Sequence, residues 1–246
     1  MNKIIAVWGC PNSGKTTFTT RLAKEIYNEY RSQIICVFAD SATPTLPVLF
    51  PNKKAEDMRS IGAVLSQTEI TQDTVLKNLI TTDTAKNIGF MGYIDNENRW
   101  SYPEYSKEKA EEFFNTANSI ADVVIVDCGN KLSGKLAFSA VNKADAIFKI
   151  CKPDLKAISF FSSQTPLYDD IKYRADEHLT VLNVTEQEIY MPIEEAAQHF
   201  GCEKLILPYT NEIKQQTMNG EFFGKISNKN YKKSMKKIME KVVCHE

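Results

Sequence analysis

The most chemically specific segment of the sequence is residues 9–16, which match the pattern G-x-x-x-x-G-K-[ST]. The segment follows an apolar run and precedes a helical pattern, which is the context that this motif requires. Gly9 and Gly14 let the backbone turn so that its N–H groups face an anion. The Lys15 ammonium would reach the terminal phosphates, and the Thr16 hydroxyl would ligate magnesium. The segment therefore predicts a binding site for a magnesium nucleotide.

Two aspartates that end apolar runs are candidates for the acidic half of such a site. Asp127 follows the apolar residues 123–126 and would hold the magnesium directly or through a water. Asp40 ends the run 34–39, and at the same sheet edge it would contact the metal or position the attacking water. The candidate catalytic residues are Lys15, Asp40 and Asp127, and the candidate metal ligands are Thr16, Asp40 and Asp127.

An alternation of apolar strands and amphipathic helices would position these residues. Strands are predicted at residues 3–8, 34–39, 87–93, 122–126, 146–151, 179–184 and 204–207. Helices are predicted at residues 15–30, 106–117, 135–142, 155–172, from about 192 and 227–243, with short helices within 55–80. This alternation indicates an α/β fold, a mainly parallel β-sheet with helices on both faces. We expect a three-layer P-loop sandwich and one nucleotide-binding domain over residues 1–246.

The bulk composition excludes several other classes of protein. The formal net charge of -1 gives no global attraction to nucleic acid or anionic lipid. The six cysteines form no C-x-x-C pair and match no zinc spacing, so reduced thiols in a cytosol are the simpler interpretation. No apolar stretch approaches the roughly 20 residues of a membrane span, and no secretory leader is recognisable. A cytoplasmic location is therefore expected.

A guanine-binding alternative arises because residues 142–145 spell N-K-x-D. A guanine-reading motif of this kind must follow a strand, so that its aspartate faces the base. Here the motif ends a predicted helix and precedes the strand 146–151. Placement therefore argues against a GTPase.

Over most of its length the sequence resembles the MinD/ParA family of dimerising P-loop ATPases (deviant-Walker, SIMIBI class), including TadZ/CpaE-like and FlhG-like relatives. The similar segments are residues 9–17, 38–40, 124–128, 144–154 and 207–209. The resemblance implies ATP and Mg²⁺ as cofactors and a nucleotide-dependent homodimer. It also implies that the nucleotide contacts Gly9, Cys10, Pro11, Asn12, Ser13, Gly14, Lys15, Thr16, Thr17, Asn183 and Pro208, the last two near the base.

One departure from that family leaves two functions open. The family carries a signature lysine at the position of Cys10, and a neutral thiol cannot supply its charge. The first expectation is an ATP-hydrolysing switch, weak or partner-stimulated, that positions a secretion, pilus or conjugation apparatus or partitions DNA. Hydrolysis would then be slow, or another cation such as Lys131 or Lys135 would supply the missing charge. The alternative is a nucleotide-binding scaffold that does not hydrolyse ATP. A small-molecule kinase is disfavoured, because arginine is scarce after Arg99.

The C-terminal region is rich in lysine, and Tyr231, Met235, Ile238 and Val242 recur at helical spacing. The pattern favours a packed helix with a solvated lysine face over a helix that binds DNA or a membrane surface. His178, His199 and His245 show no partner pattern for metal binding or catalysis, and structural or surface roles are expected.

Overall fold

The computed structural model describes residues 2–83, 85–98, 100–202 and 204–243. Within these residues, seven parallel strands form one sheet in the order β3-β2-β4-β1-β5-β6-β7. The strands are β1 (Lys3–Gly9), β2 (Ile34–Phe38), β3 (Ile88–Gly92), β4 (Val123–Asp127), β5 (Ala146–Cys151), β6 (His178–Asn183) and β7 (Ile206–Leu207). The predicted parallel sheet is confirmed, with shifts of one or two residues at most strand ends.

Helices cover both faces of this sheet. Alternate residues of the strands therefore pack into two separate cores. Ala6 and Val126 belong to one core, while Val7 and Ile125 belong to the other. The α-helices of the described residues are α1 (Lys15–Tyr30), α2 (Leu46–Leu49), α3 (Ile61–Leu65), α4 (Gln72–Lys77), α5 (Lys107–Ile120), α6 (Lys135–Lys143), α7 (Leu155–Gln164), α8 (Ile193–Phe200), α9 (Asn211–Met218) and α10 (Lys229–Val243). The three-layer sandwich is therefore confirmed.

The register of the central strands brings the ends of three strands together. β1 lies between β4 and β5, with Val7 opposite Asp127 and Gly9 opposite Ile150. Asp127 also lies opposite Phe38 of β2. The turn after β1 therefore opens beside the carboxyl end of β4, at the point where the chain order of the sheet reverses. Ligand sites of open α/β sheets form at such a point.

Two helix predictions need correction. The predicted helix over residues 155–172 is wrong beyond Gln164, because the chain passes into the 3₁₀ turn Thr165–Tyr168 that contains Pro166. The second correction concerns α2 and α9, which were not predicted. All of the α9 residues are at least partly exposed, so no apolar periodicity marked the helix.

The lysine-rich helix α10 packs against the sheet as predicted. Tyr231, Met235, Ile238 and Val242 are buried in the same core as α1, whereas the α10 lysines are exposed.

None of the described helices combines the length and the apolar character of a membrane span. The five cysteines that lie in the described ranges are buried, and none of them is in a disulfide. Cys244 lies outside those ranges.

Candidate functional site

The turn between β1 and α1 requires glycine at both of its ends. A Cβ atom at Gly9 would lie 2.1 Å from the Ile150 carbonyl oxygen of the neighbouring strand. Gly14 has φ +79°, and a Cβ atom there would lie 2.6 Å from Asn183 Nδ2. Gly14 is also the N-cap residue of α1, and it has no side chain to cover the first N–H groups. These N–H groups and the positive end of the helix dipole can therefore face an anion.

Lys15, the first residue of α1, turns its ammonium back into the loop. Its Nζ donates to the Cys10 carbonyl oxygen at 2.8 Å and to Asn130 Oδ1 at 2.6 Å. Burial lowers the pKa of this ammonium, and the nearby Asp127 carboxylate opposes the shift. Asn130 was not predicted. Among the described residues, the acceptors of this ammonium are both uncharged, so an incoming phosphate would supply a charged one.

Asp127 and Thr16 form the second contact across the loop. The Thr16 hydroxyl donates to Asp127 Oδ2 at 2.8 Å, and the Gly129 N–H donates to Oδ1 at 3.1 Å. Burial raises the pKa of Asp127, while Lys15 acts in the opposite direction. Two elements that are far apart in the sequence are thus joined at one point, as the loop motif and the strand-ending acid predicted.

Asp40 lies on the far side of Gly129 from this contact. Its Oδ1 accepts from the Ala42 N–H at 2.9 Å and the Thr43 N–H at 3.2 Å. Gly129 has φ +71°, and a Cβ atom there would lie 3.2 Å from Asp40 Oδ2. The structure therefore places both predicted acids near Lys15.

The oxygen atoms of Thr16, Asp127 and Asp40 suit a magnesium ion. Mg²⁺ prefers oxygen ligands, keeps several waters and needs only one or two carboxylates from the protein. Among the described residues, no group of three or more His, Cys, Asp or Glu side chains has the arrangement of a metal site. Two carboxylates and a hydroxyl are a donor set whose chemistry fits a magnesium ion.

A cavity of about 420 Å³ lies on the β6 and β7 side of the loop. Asn183 ends β6, and its Nδ2 donates to the Ser13 carbonyl oxygen at 2.8 Å. The cavity is lined by Asn183 and Pro208, both predicted from the resemblance, and by Ile213, Lys214 and Thr217 of α9, which were not. The predicted nucleotide contacts therefore lie together. Residues 9–17 form the loop and the start of α1, and Asn183 and Pro208 line the adjoining cavity.

Cys10, which directly follows β1, carries a buried, neutral thiol. Its Sγ donates to the Ile150 carbonyl oxygen at 3.8 Å, and burial raises its pKa. Of the two suggested replacement cations, Lys135 pairs with Glu104. Lys131 lines a cavity of about 350 Å³ together with Asp40 and Asn130. Because Lys131 borders the same cavity as Asp40, it is the better placed of the two.

The structural interpretation of His178 is confirmed. Trp8 Nε1 donates to its Nδ1 at 3.1 Å, and burial lowers its pKa to about 4. His199 packs against Phe200, and His245 lies outside the described residues.

The rejection of the guanine-binding motif is also supported by position. Asp145 Oδ2 accepts from the Ile4 N–H at 2.8 Å, near the start of β1. The phosphate loop follows the end of β1, so Asp145 lies at the opposite edge of the sheet.

The sheet order and the glycine-bounded turn define the P-loop class of α/β folds. No family model and no curated protein matched the sequence. Solved structures did match. A ParA family ATPase from Chlorobium tepidum is 12% identical, with a TM-score of 0.79 over 100% of both chains. The septum site-determining protein MinD from Pyrococcus horikoshii, complexed with Mg-ADP, is 18% identical, with a TM-score of 0.72 over 99% of this chain and 96% of that one.

A third similar structure is an ATP complex of a McdA variant from Cyanothece. It is 10% identical, with a TM-score of 0.69 over 99% of this chain and 97% of that one. The chain therefore has the fold of the MinD/ParA-type P-loop ATPases, and the resemblance noted from the sequence is confirmed at the level of the fold.

Proposed function

We propose that this protein binds ATP with Mg²⁺ in the turn between β1 and α1 and acts as an ATP-dependent switch. The observation that carries the proposal is the convergence of Lys15, Thr16 and Asp127 on one turn, through the contacts of Lys15 to the loop and of Thr16 to Asp127. A turn bounded by two obligatory glycines, with a buried ammonium and an adjacent carboxylate, is suited to a polyphosphate.

Each residue has a role in this proposal. The N–H groups at the start of α1, from Gly14 to Thr17, face the phosphates, and Lys15 exchanges its contact with Asn130 for phosphate oxygens. Thr16, Asp127 and Asp40 hold magnesium, which neutralises phosphate charge when bound. Asp40 also orients the attacking water.

Adenine would occupy the cavity of about 420 Å³ beside Asn183 and Pro208. The similar McdA and MinD structures contain ATP and Mg-ADP, which supports an adenine nucleotide here. Asn183 holds the loop through Ser13 and keeps its Oδ1 for the base.

The switch itself would be a nucleotide-dependent homodimer. A third cavity, of about 750 Å³, opens beside Cys10, Pro11 and Asn12, and the exposed apolar side chains of Leu155 and Tyr190 line it. Apolar surface next to a phosphate loop is suited to an interface that forms over the bound nucleotide. The cargo would be a secretion, pilus or conjugation apparatus, or DNA.

Light scattering and a phosphate-release assay across protein concentrations test the switch. We expect a monomer without nucleotide or with ADP, a dimer with ATP, and turnover per chain that rises with protein concentration. A chain that stays monomeric with ATP, and whose turnover per chain is independent of concentration, would contradict the dimer.

The second candidate is a scaffold that binds ATP without hydrolysing it. The buried neutral thiol of Cys10 favours it, because no charge reaches the phosphates from that position. ATP binding without measurable turnover, at any protein concentration, would distinguish this candidate from the switch.

A substitution at Cys10 tests whether missing charge limits turnover. Cys10→Lys is expected to raise ATP turnover by about tenfold or more, because a cation near the transferred phosphoryl group stabilises the transition state. Cys10→Ser, which adds no charge, is the matched control and should leave turnover near that of the wild type. Equal rates for both variants, with ATP still bound, would show that charge at this position is not limiting.

A further inference from the structure

Arg21, in the middle of α1, has the largest fully buried side chain among the described residues. Its Nη1 donates to the Gly224 carbonyl oxygen at 2.7 Å, and its Nη2 donates to Gln216 Oε1. Gln216 belongs to α9, and Gly224 belongs to the loop between α9 and α10. One guanidinium therefore joins the helix of the phosphate loop to α9 and to the segment that follows it.

The Gln216 amide is held from both sides. Its Nε2 donates to the Lys225 carbonyl oxygen at 2.9 Å while its Oε1 accepts from Arg21. A Cβ atom at Gly224 would lie 2.7 Å from that amide, so the loop backbone approaches it closely. Glu212, also on α9, accepts from the Ser227 N–H at 2.8 Å and so fixes the start of α10. The position of α9 thus depends on this network.

The same helix forms one wall of the cavity proposed for the nucleoside. Ile213, Lys214 and Thr217 line it from α9, opposite Thr17 of α1. Arg21 follows Thr17 by about one helical turn, roughly 6 Å along the axis. Because a helix is stiff over this length, the Arg21 contacts set the distance between the phosphate loop and the far wall of the cavity.

The chemistry of the contact is costly for a merely structural role. Burial lowers the pKa of the Arg21 guanidinium, and Tyr231, Glu25 and Glu212 oppose that shift. The oxygens that Arg21 contacts directly, on Gly224 and Gln216, are uncharged, so its burial is only partly compensated and is unfavourable. An apolar side chain of similar size would pack α1 against α9 without that cost. The planar guanidinium, however, holds two acceptors in fixed directions. Such a contact fixes the position of α9 relative to α1 more than it stabilises the fold.

We infer that Arg21 is a positioning residue, which sets the affinity for the nucleoside part of the nucleotide by fixing α9 relative to the phosphate loop. Arg21 is not among the residues that line the cavity proposed for the nucleoside. The inference rests on the proposed function, because it assigns the nucleoside to the cavity that α9 borders. Nucleoside binding should then be separable from phosphate binding.

Titrations of MgATP and of magnesium tripolyphosphate, which lacks a nucleoside, test the inference. Arg21→Met is expected to weaken MgATP binding by about tenfold or more while tripolyphosphate affinity stays within about twofold. Gln216→Leu should act in the same direction, and the double variant should lose little more than either single variant, because both remove one contact. Lys24→Met is the matched control, since Lys24 contacts Phe223 and Gly224 of the same loop but not Gln216.

The outcomes separate this inference from the proposed function. A wild-type chain that binds neither ligand overturns both. If the wild type binds both ligands, unchanged MgATP affinity in Arg21→Met and Gln216→Leu overturns the inference alone, as does an equal loss for the two ligands. Thermal melts show which variants are folded. If Arg21→Met does not fold, the half-buried Gln216 provides the deciding variant.

Discussion

Lys15→Met is expected to weaken MgATP binding by about a hundredfold or more, through loss of charged hydrogen bonds to phosphate. The buried ammonium contacts the Cys10 carbonyl oxygen and Asn130 and lies beside Asp127. Methionine has a similar length and fills the same space without charge. The variant should therefore fold, because it removes a charge whose burial is unfavourable.

The measurement is calorimetric titration of MgATP into the wild type, Lys15→Met and Lys24→Met. Lys24 is on the same helix, but it contacts the loop before α10 instead of the phosphate loop. The Lys24 variant should bind ATP as the wild type does. Equal affinities for Lys15→Met and the wild type would remove Lys15 from the binding site.

Asp127→Asn is expected to abolish the dependence of ATP binding on Mg²⁺ and to lower any ATP turnover by about a hundredfold or more. The carboxylate is buried and accepts hydrogen bonds from Thr16 and Gly129. An asparagine oxygen can still accept one of these bonds, so the turn is retained. What the variant lacks is the negative charge that a divalent cation requires.

ATP titrations with magnesium and with a chelator provide the readout. In the wild type, magnesium should tighten ATP binding, and in Asp127→Asn it should not. Asp122→Asn is the matched control, because Asp122 precedes the other end of β4 and accepts from the Gln33 N–H at 2.7 Å. An Asp127→Asn variant with the magnesium response of the wild type would contradict the assignment of this acid.

The sequence was sufficient for the parts of the site that local pattern controls. The loop motif fixes its own turn, since only glycine is accommodated beside Ile150 and Asn183. Asp127 ends a run of β-branched residues that reads as a buried strand. Parallel pairing then brings that acid next to the loop without further information.

The missed residues depend on contacts between distant segments. Asn130 reaches Lys15 only because Gly129 turns the chain with a positive φ. Helix α9 carries Ile213 and Met218 as its only strongly apolar residues, so its helical period was invisible. The sequence did carry a local signal for the start of α9, since threonine is a favoured N-cap residue. In the structure the Thr210 hydroxyl accepts from the Ile213 N–H at 3.1 Å. In the sequence, Arg21 is an ordinary polar position of a helix. It is buried in the structure because it contacts the distant loop at Gly224.

Above all, we propose that the turn between β1 and α1 binds the polyphosphate of a magnesium nucleotide. Calorimetric titration of ATP into the wild-type chain, with and without Mg²⁺, tests this claim most directly. We predict saturable binding that magnesium strengthens, with one ATP molecule bound per chain. No saturable binding of ATP, or of any other nucleoside triphosphate, in the presence of magnesium would contradict the claim.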